Sequence, residues 1–192
     1  MRRNESGRGP RVMIGITGRL ASGKGRMTKE ILKRFDAEQI RFSDSLRYIL
    51  DMYAVPQSRD NIDALSTFLR ATYGEDVLAK AVEKRSLEST RDIVIIDGVR
   101  RATDMSTLSK HPHFKLVYID VIPEVRYERS KSRNENVGDA DLAYQDFLRM
   151  DSGEPQQQIE SLKSIADFVI DNNGSTEKFD EQINDVLKQA IA

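Results

Sequence analysis

The chain contains no cysteine and no tryptophan, has only two histidines, and devotes 7% of its 192 residues to aromatics. Without thiols it can form no disulfide, thiolate metal site or cysteine nucleophile, a composition expected of a cytoplasmic protein. His111 and His113 flank a proline and have no third ligand near them in sequence, so they read as loop residues. An excess of one charge is also missing: 30 Lys plus Arg against 31 Asp plus Glu leave a formal charge of -1. No global field recruits nucleic acid or anionic lipid, and any anion site must be local. Long hydrophobic runs are absent too. The 39% of apolar residues are broken up by 32% charged ones, and no stretch approaches the roughly 20 residues of a membrane helix. Residues 1–10, MRRNESGRGP, lack the apolar segment of an export signal and read as a mobile tail.

What is present is alternation. Short β-branched runs take turns with helix-period stretches from residue 11 to 192, a length suited to one α/β domain with a five-stranded, mainly parallel sheet. The strands are expected at Val12 to Thr17, Gln39 to Ser43, Ile93 to Ile96, Leu116 to Ile122 and Asp167 to Asp171. Between the first two, Met27, Ile31, Leu32 and Phe35 fall on one helical face from Lys24 to Phe35. Leu46, Ile49, Leu50 and Tyr53 predict a helix ending before Pro56, and two more helices hinged near Gly74 complete a lobe over about residues 44–88. Phe179, Ile183, Val186, Leu187 and Ile191 mark the last helix. Right-handed crossovers then place ligands at the carboxyl ends of the strands.

At the first such end, Gly18-Arg-Leu-Ala-Ser-Gly23-Lys24-Gly25 satisfies G-x-x-x-x-G-K between a strand and a helix. Glycines let the backbone wrap with its N–H groups inward, the helix start adds positive potential, and Lys24 reaches the terminal phosphates. Gly18, Ala21, Ser22, Gly23, Lys24, Gly25 and Arg26 are therefore the candidate ATP contacts. The Ser or Thr that usually follows the lysine and faces magnesium is Gly25 here, so coordination would run mainly through water.

With this loop, the chain resembles the adenylate kinase-like nucleoside monophosphate kinases, and more closely a group of archaeal-type P-loop kinase-like proteins of uncertain substrate. The resemblance runs nearly end to end. It implies a three-layer P-loop fold with a helical acceptor lobe and a short lid, and ATP with Mg2+ as cofactors. The family's D-x-L-R is matched by Asp44-Ser45-Leu46-Arg47, which implies an acceptor-side Arg47. Its D-G-F-P-R appears as Asp97-Gly98-Val99-Arg100, one residue shorter, which implies a magnesium-side Asp97 and an acceptor-side Arg100. Its lid arginines correspond to Arg129 and Arg133, with the lid itself at about 134–141. The segment from Ala166 to Ser175 is similar instead to dephospho-coenzyme A kinases, whose last turn passes near the adenine, and this implies a nucleotide contact at Asn173.

The same residues can be read from their chemistry. Phosphoryl transfer needs positioning, positive charge and an acid that holds the metal. Asp97, at a strand end beside the loop, suits the last role; alternatively it is the first residue of an Asp-Gly turn. Arg129 and Arg133 can clamp a triphosphate, whereas Arg126, on the same helical face, reads as solvent-facing. Asp44 is either a helix cap or a base on the acceptor oxygen, and Arg59 and Arg70 are further acceptor-lobe candidates. The expected partners are ATP and a small-molecule phosphate acceptor, most simply a nucleoside or deoxynucleoside monophosphate. Dephospho-coenzyme A kinase and a regulatory P-loop NTPase acting on a protein or nucleic acid are the alternatives.

Overall fold

A computed structural model describes residues 10–133 and 143–191. The expected tail and the lid at 134–141 lie outside the described residues, apart from Pro10. Five strands, β1 (Val12–Thr17), β2 (Ala37–Arg41), β3 (Ile93–Asp97), β4 (Phe114–Asp120) and β5 (Phe168–Asp171), form one all-parallel sheet in the order β2-β3-β1-β4-β5. The connecting helices are α1 (Lys24–Arg34), α2 (Asp44–Met52), α3 (Arg59–Tyr73), α4 (Val77–Leu87), α5 (Ala102–Leu108), α6 (Pro123–Arg133), α7 (Tyr144–Asp151), α8 (Glu154–Ser161) and α9 (Thr176–Ile191). The molecule is thus a three-layer α/β protein, as the alternation of runs predicts.

Every residue of β1 is buried, because it is the central strand with helices on both faces. On one face Ile14, Ile16, Ile93, Ile95 and Ile119 pack against Met27 and Ile31 of α1 and Phe179 and Ile183 of α9. On the other, Met13, Val94, Ile96 and Leu116 meet Leu46 of α2, Leu78 and Val82 of α4 and Leu108 of α5. Each fully buried isoleucine contributes about 2 kcal/mol relative to exposure, so β1 and its neighbours dominate the packing.

Two expectations are corrected, and two helices had no expectation. The second strand ends at Arg41 instead of Ser43, because Phe42 turns its ring into the core and Ser43 caps α2. Leu32 and Phe35 are exposed: the i, i+4 pair Met27 and Ile31 supplies the apolar side chains that α1 packs on the sheet, with Thr28 buried beside them. Two helices, α7 and α8, were not signalled by periodicity; they are short, and buried Phe147 and Ile159 anchor them together with the ionic contacts of Asp151 and Glu160.

Candidate active site

The loop from Gly18 to Gly23 leaves β1 at the carboxyl edge, between β3 and β4, where the connections part to opposite sides of the sheet. Gly18, Ala21 and Gly23 all have positive φ, at 142°, 59° and 107°, which curls the backbone over the start of α1. A Cβ on Gly18 would lie 2.6 Å from the Ile119 carbonyl, and one on Gly23 would lie 2.5 Å from Asn172 Nδ2, so both positions exclude side chains. Gly23 caps α1 without any side-chain hydrogen bond, leaving the first backbone N–H groups of the helix for an anion.

Lys24 Nζ donates to Gly18 O at 2.6 Å and to Arg19 O at 2.9 Å, so the ammonium is seated on the rim of the loop it is expected to serve. Ser22 is fully buried, and its Oγ has no hydrogen-bond partner among the described residues. Gly25 is exposed, with open space around its missing side chain. Arg26 turns away from the loop to Asp180 of α9, to which it donates two hydrogen bonds at 3.0 and 2.7 Å. It is thus a tie between helices, and the reading of Arg26 as a nucleotide contact is not supported by its placement.

Asp97 stands opposite Ile16 across the β1–β3 ladder and shares the α1 face of the sheet with Ile93 and Ile95. Its Oδ2 accepts from Gln39 Nε2 at 2.9 Å. Thr17 Oγ1 donates to Val99 O at 2.8 Å, which locks the residues after Asp97 to the base of the loop. These contacts bring Lys24, the loop and the Asp97 carboxylate to one edge.

The arginines are sorted by burial. Arg47 is exposed on α2, donating to Gln57 at 3.4 Å, and Arg100 is exposed beyond β3, so both are open to a ligand. Arg59 is exposed as well and pairs with Asp63 at 3.9 Å. Arg70, by contrast, is buried: it donates to Asp104 Oδ1 at 3.1 Å and to the Glu75 carbonyl, fastening α3 to α5. Its proposed acceptor role is corrected to a structural one. Asp44 is the first residue of α2, behind Ser43 at the cap position, and accepts from Arg41 N at 2.9 Å before the helix while facing Arg85 at 3.5 Å, so it does not cap α2.

Arg126 overturns its reading as a solvated residue. It is 1% exposed, donates from Nε to Val121 O at 3.0 Å, and makes a two-pronged pair with Asp151. Asp151 also accepts from Arg19 of the loop at 2.7 Å, and Arg19 Nε donates to Glu160 Oε2 at 3.0 Å. Tyr118 completes the chain by donating to the same Glu160 oxygen at 2.8 Å. Burial alone would raise the Asp151 carboxyl, but hydrogen bonds and charge from Arg126 and Arg19 outweigh it and hold the group below its ordinary value. Burial, reinforced by the acidic neighbour Glu160, pushes the Tyr118 hydroxyl well up. Sequence spacing offered no signal for this network, whose partners are separated by 25 to 141 positions.

Arg129 Nη2 donates to Asn172 O at 2.9 Å, and Asn172 Nδ2 donates to Ser22 O at 2.8 Å. Asn172, buried at the end of β5, is therefore the loop contact from the C-terminal segment. Asn173, the residue singled out in sequence, instead accepts from Ile122 N at 2.8 Å and closes the turn. The Arg133 side chain lies outside what the structure describes.

The sheet order and the loop together define a P-loop kinase-like fold. Solved structures share it: a shikimate kinase from Bacteroides thetaiotaomicron aligns with a TM-score of 0.55 at 14% identity, covering 93% of this chain and 97% of the other. A gluconokinase from Sinorhizobium meliloti 1021 aligns with a TM-score of 0.58 at 14% identity, covering 93% and 92%. In sequence, the chain is 28% identical over 181 residues to a UPF0200 protein of Methanococcus vannielii, covering 93% of this chain and 96% of that one. A UPF0200 protein of Thermococcus onnurineus is 28% identical over 186 residues, covering 94% and 99%. No family model matches.

Proposed function

We propose that the protein is a phosphotransferase that moves the γ-phosphoryl group of ATP to a nucleotide-like acceptor, most simply a nucleoside or deoxynucleoside monophosphate. The observation that carries this reading is the uncapped start of α1 beneath a loop of positive-φ residues, with Lys24 on its rim and Asp97 one strand away. The fit to a triphosphate rests on that N–H cradle, and the fit to its magnesium on the Asp97 carboxylate, since positions 25 and 26 bring no hydroxyl. Magnesium bound with ATP would neutralise part of the charge on the phosphate oxygens.

The chain's own groups do the rest. Loop N–H groups orient the β- and γ-phosphates, and Lys24 exchanges the carbonyls of Gly18 and Arg19 for phosphate oxygens. Arg129, tied through Asn172 to Ser22, and Arg133 after it supply further positive charge as the γ-phosphoryl leaves. Arg47 and Arg100 hold the acceptor phosphate in line on the far side. The exposed acceptor-side arginines favour a transferase over a hydrolytic switch.

The deciding experiment is a coupled ADP-release screen with magnesium-ATP against all ribo- and deoxynucleoside monophosphates plus dephospho-coenzyme A. One acceptor is expected to raise ADP release well above hydrolysis; release that no acceptor stimulates would sink the transferase reading. Calorimetric titration of ATP into Arg47→Ala and Arg100→Ala should find its affinity kept while the acceptor KM rises, and lost ATP affinity with an unchanged KM would refute their assignment.

A further inference from the structure

The row of β2 on the α1 face breaks the pattern of the sheet. On the α1 side, β1 carries Ile14 and Ile16 and β3 carries Ile93 and Ile95, all buried. The same row of β2 reads Ala37, Gln39 and Arg41, in register with Ile93, Ile95 and Asp97. Gln39 thus stands in line with Ile95 and Ile14, a polar residue in a row of isoleucines and a local departure of the kind that marks function, and Arg41 stands beside Asp97 on this edge strand.

Gln39 is hydrogen-bonded to Asp97, and Arg41 to Gln39. Gln39 Nε2 donates to Asp97 Oδ2 at 2.9 Å, and Arg41 Nη2 donates to Gln39 Oε1 at 3.1 Å. Arg41 Nε stands 3.9 Å from Asp97 Oδ2. A guanidinium only donates, so the amide must show Arg41 its oxygen, and its NH2 group is thereby turned to the carboxylate. Without Arg41 the amide oxygen loses its donor, and the side chain is held on Asp97 by a single hydrogen bond from which it can swing away.

We infer that Gln39 is a positioning residue for Asp97, kept in its donating orientation by Arg41, so that one carboxylate oxygen is committed to the protein and the other is left for the nucleotide's divalent cation. The inference rests on the metal-side reading of Asp97 proposed above. It matters more here than in a loop with a hydroxyl after the lysine, because Gly25 supplies none and Arg26 is engaged by Asp180. Arg41 acts through Gln39: at 55% exposure and 3.9 Å its direct pull on Asp97 is screened by water.

The test is a Mn2+ titration of the protein saturated with ADP, with free Mn2+ counted by electron paramagnetic resonance. Affinity for a fluorescent ADP analogue in EDTA monitors the phosphate loop independently. Gln39→Leu should weaken Mn2+ binding about tenfold, the lower end of what outer-shell partners of metal ligands contribute, while metal-free ADP affinity is unchanged. Arg41→Met should weaken it comparably, and the double variant should be no weaker than Gln39→Leu alone. The near-isosteric Gln39→Met is run alongside, so that a packing defect in one variant does not decide the outcome. Additive losses, or wild-type Mn2+ affinity in both Gln39 variants while Asp97→Asn abolishes the site, would overturn the inference and leave the role of Asp97 standing. A Mn2+ site that survives Asp97→Asn, or none in the wild-type protein, would overturn that role and the inference with it.

Discussion

Lys24 and Gly23 are adjacent, and their substitutions should fail differently. Lys24 makes its contacts from a half-buried rim, so Lys24→Met should fold normally and lose turnover by at least about a hundredfold, the usual effect of removing one preorganised charge. A circular dichroism spectrum matching wild type with unchanged turnover would refute the phosphate-loop assignment. Gly23→Ala meets two obstacles at once, a φ of 107° and a Cβ 2.5 Å from Asn172 Nδ2. Its melting temperature should fall, the stability lost being at least the 1 kcal/mol or so that a residue forced into that backbone region costs, and nucleotide affinity should fall with it as Asn172 releases Ser22. Unchanged melting would show that the loop relaxes without using Asn172. The glycines and the lysine were legible because their spacing is local; Asn172 was not, since its bond to Ser22 spans 150 positions. Of the two asparagines after the last strand, Asn172 bonds the loop and Asn173 the turn, because neighbouring residues at a strand end face different surroundings.

Helices α7 and α8 show where element-level reading stops. Strands and the long helices announce themselves through periodic apolar residues, and β1 and the pair α3 and α4 lie close to where that periodicity puts them. The two short helices bury Phe147 and Ile159 and are tied further by Asp151 and Glu160, whose charges look like surface residues until Arg126, Arg19 and Tyr118 are brought to them by the fold. Asp151→Asn leaves a fully buried guanidinium short of its counter-charge and should cost about 3–5 kcal/mol in urea unfolding, against under 1 kcal/mol for an exposed pair such as that of Arg59 and Asp63. The wild-type protein should also be acid-sensitive through this residue. Because the folded carboxyl is held below its ordinary value of 3.8, its contribution is complete above that pH and is lost as the pH falls through the lower, folded value. Urea midpoints measured from pH 7 to pH 3 should drop less steeply at the acid end in Asp151→Asn; parallel curves would remove Asp151 from the explanation.

At the scale of the molecule, the strand order separates partners that must meet. The central strand β1 pairs with β3 and β4, whose first residues lie at positions 93 and 114, so the phosphate-loop strand finds no sheet partner in the 75 positions after it ends at Thr17. A ribosome making this chain would expose Val12 to Thr17, all apolar but for one glycine and one threonine, long before either neighbour is synthesised. The nucleotide cradle cannot be a local folding unit; it is among the last features to form, and the unpaired strand is a hazard for aggregation or a handle for chaperones until then. Arrested nascent chains ending before residue 93 should stay protease-sensitive with or without ATP, and protection should appear only after β4 has cleared the exit tunnel. Translation speed through the middle of the message thereby becomes a determinant of yield, although the residues encoded there touch no phosphate.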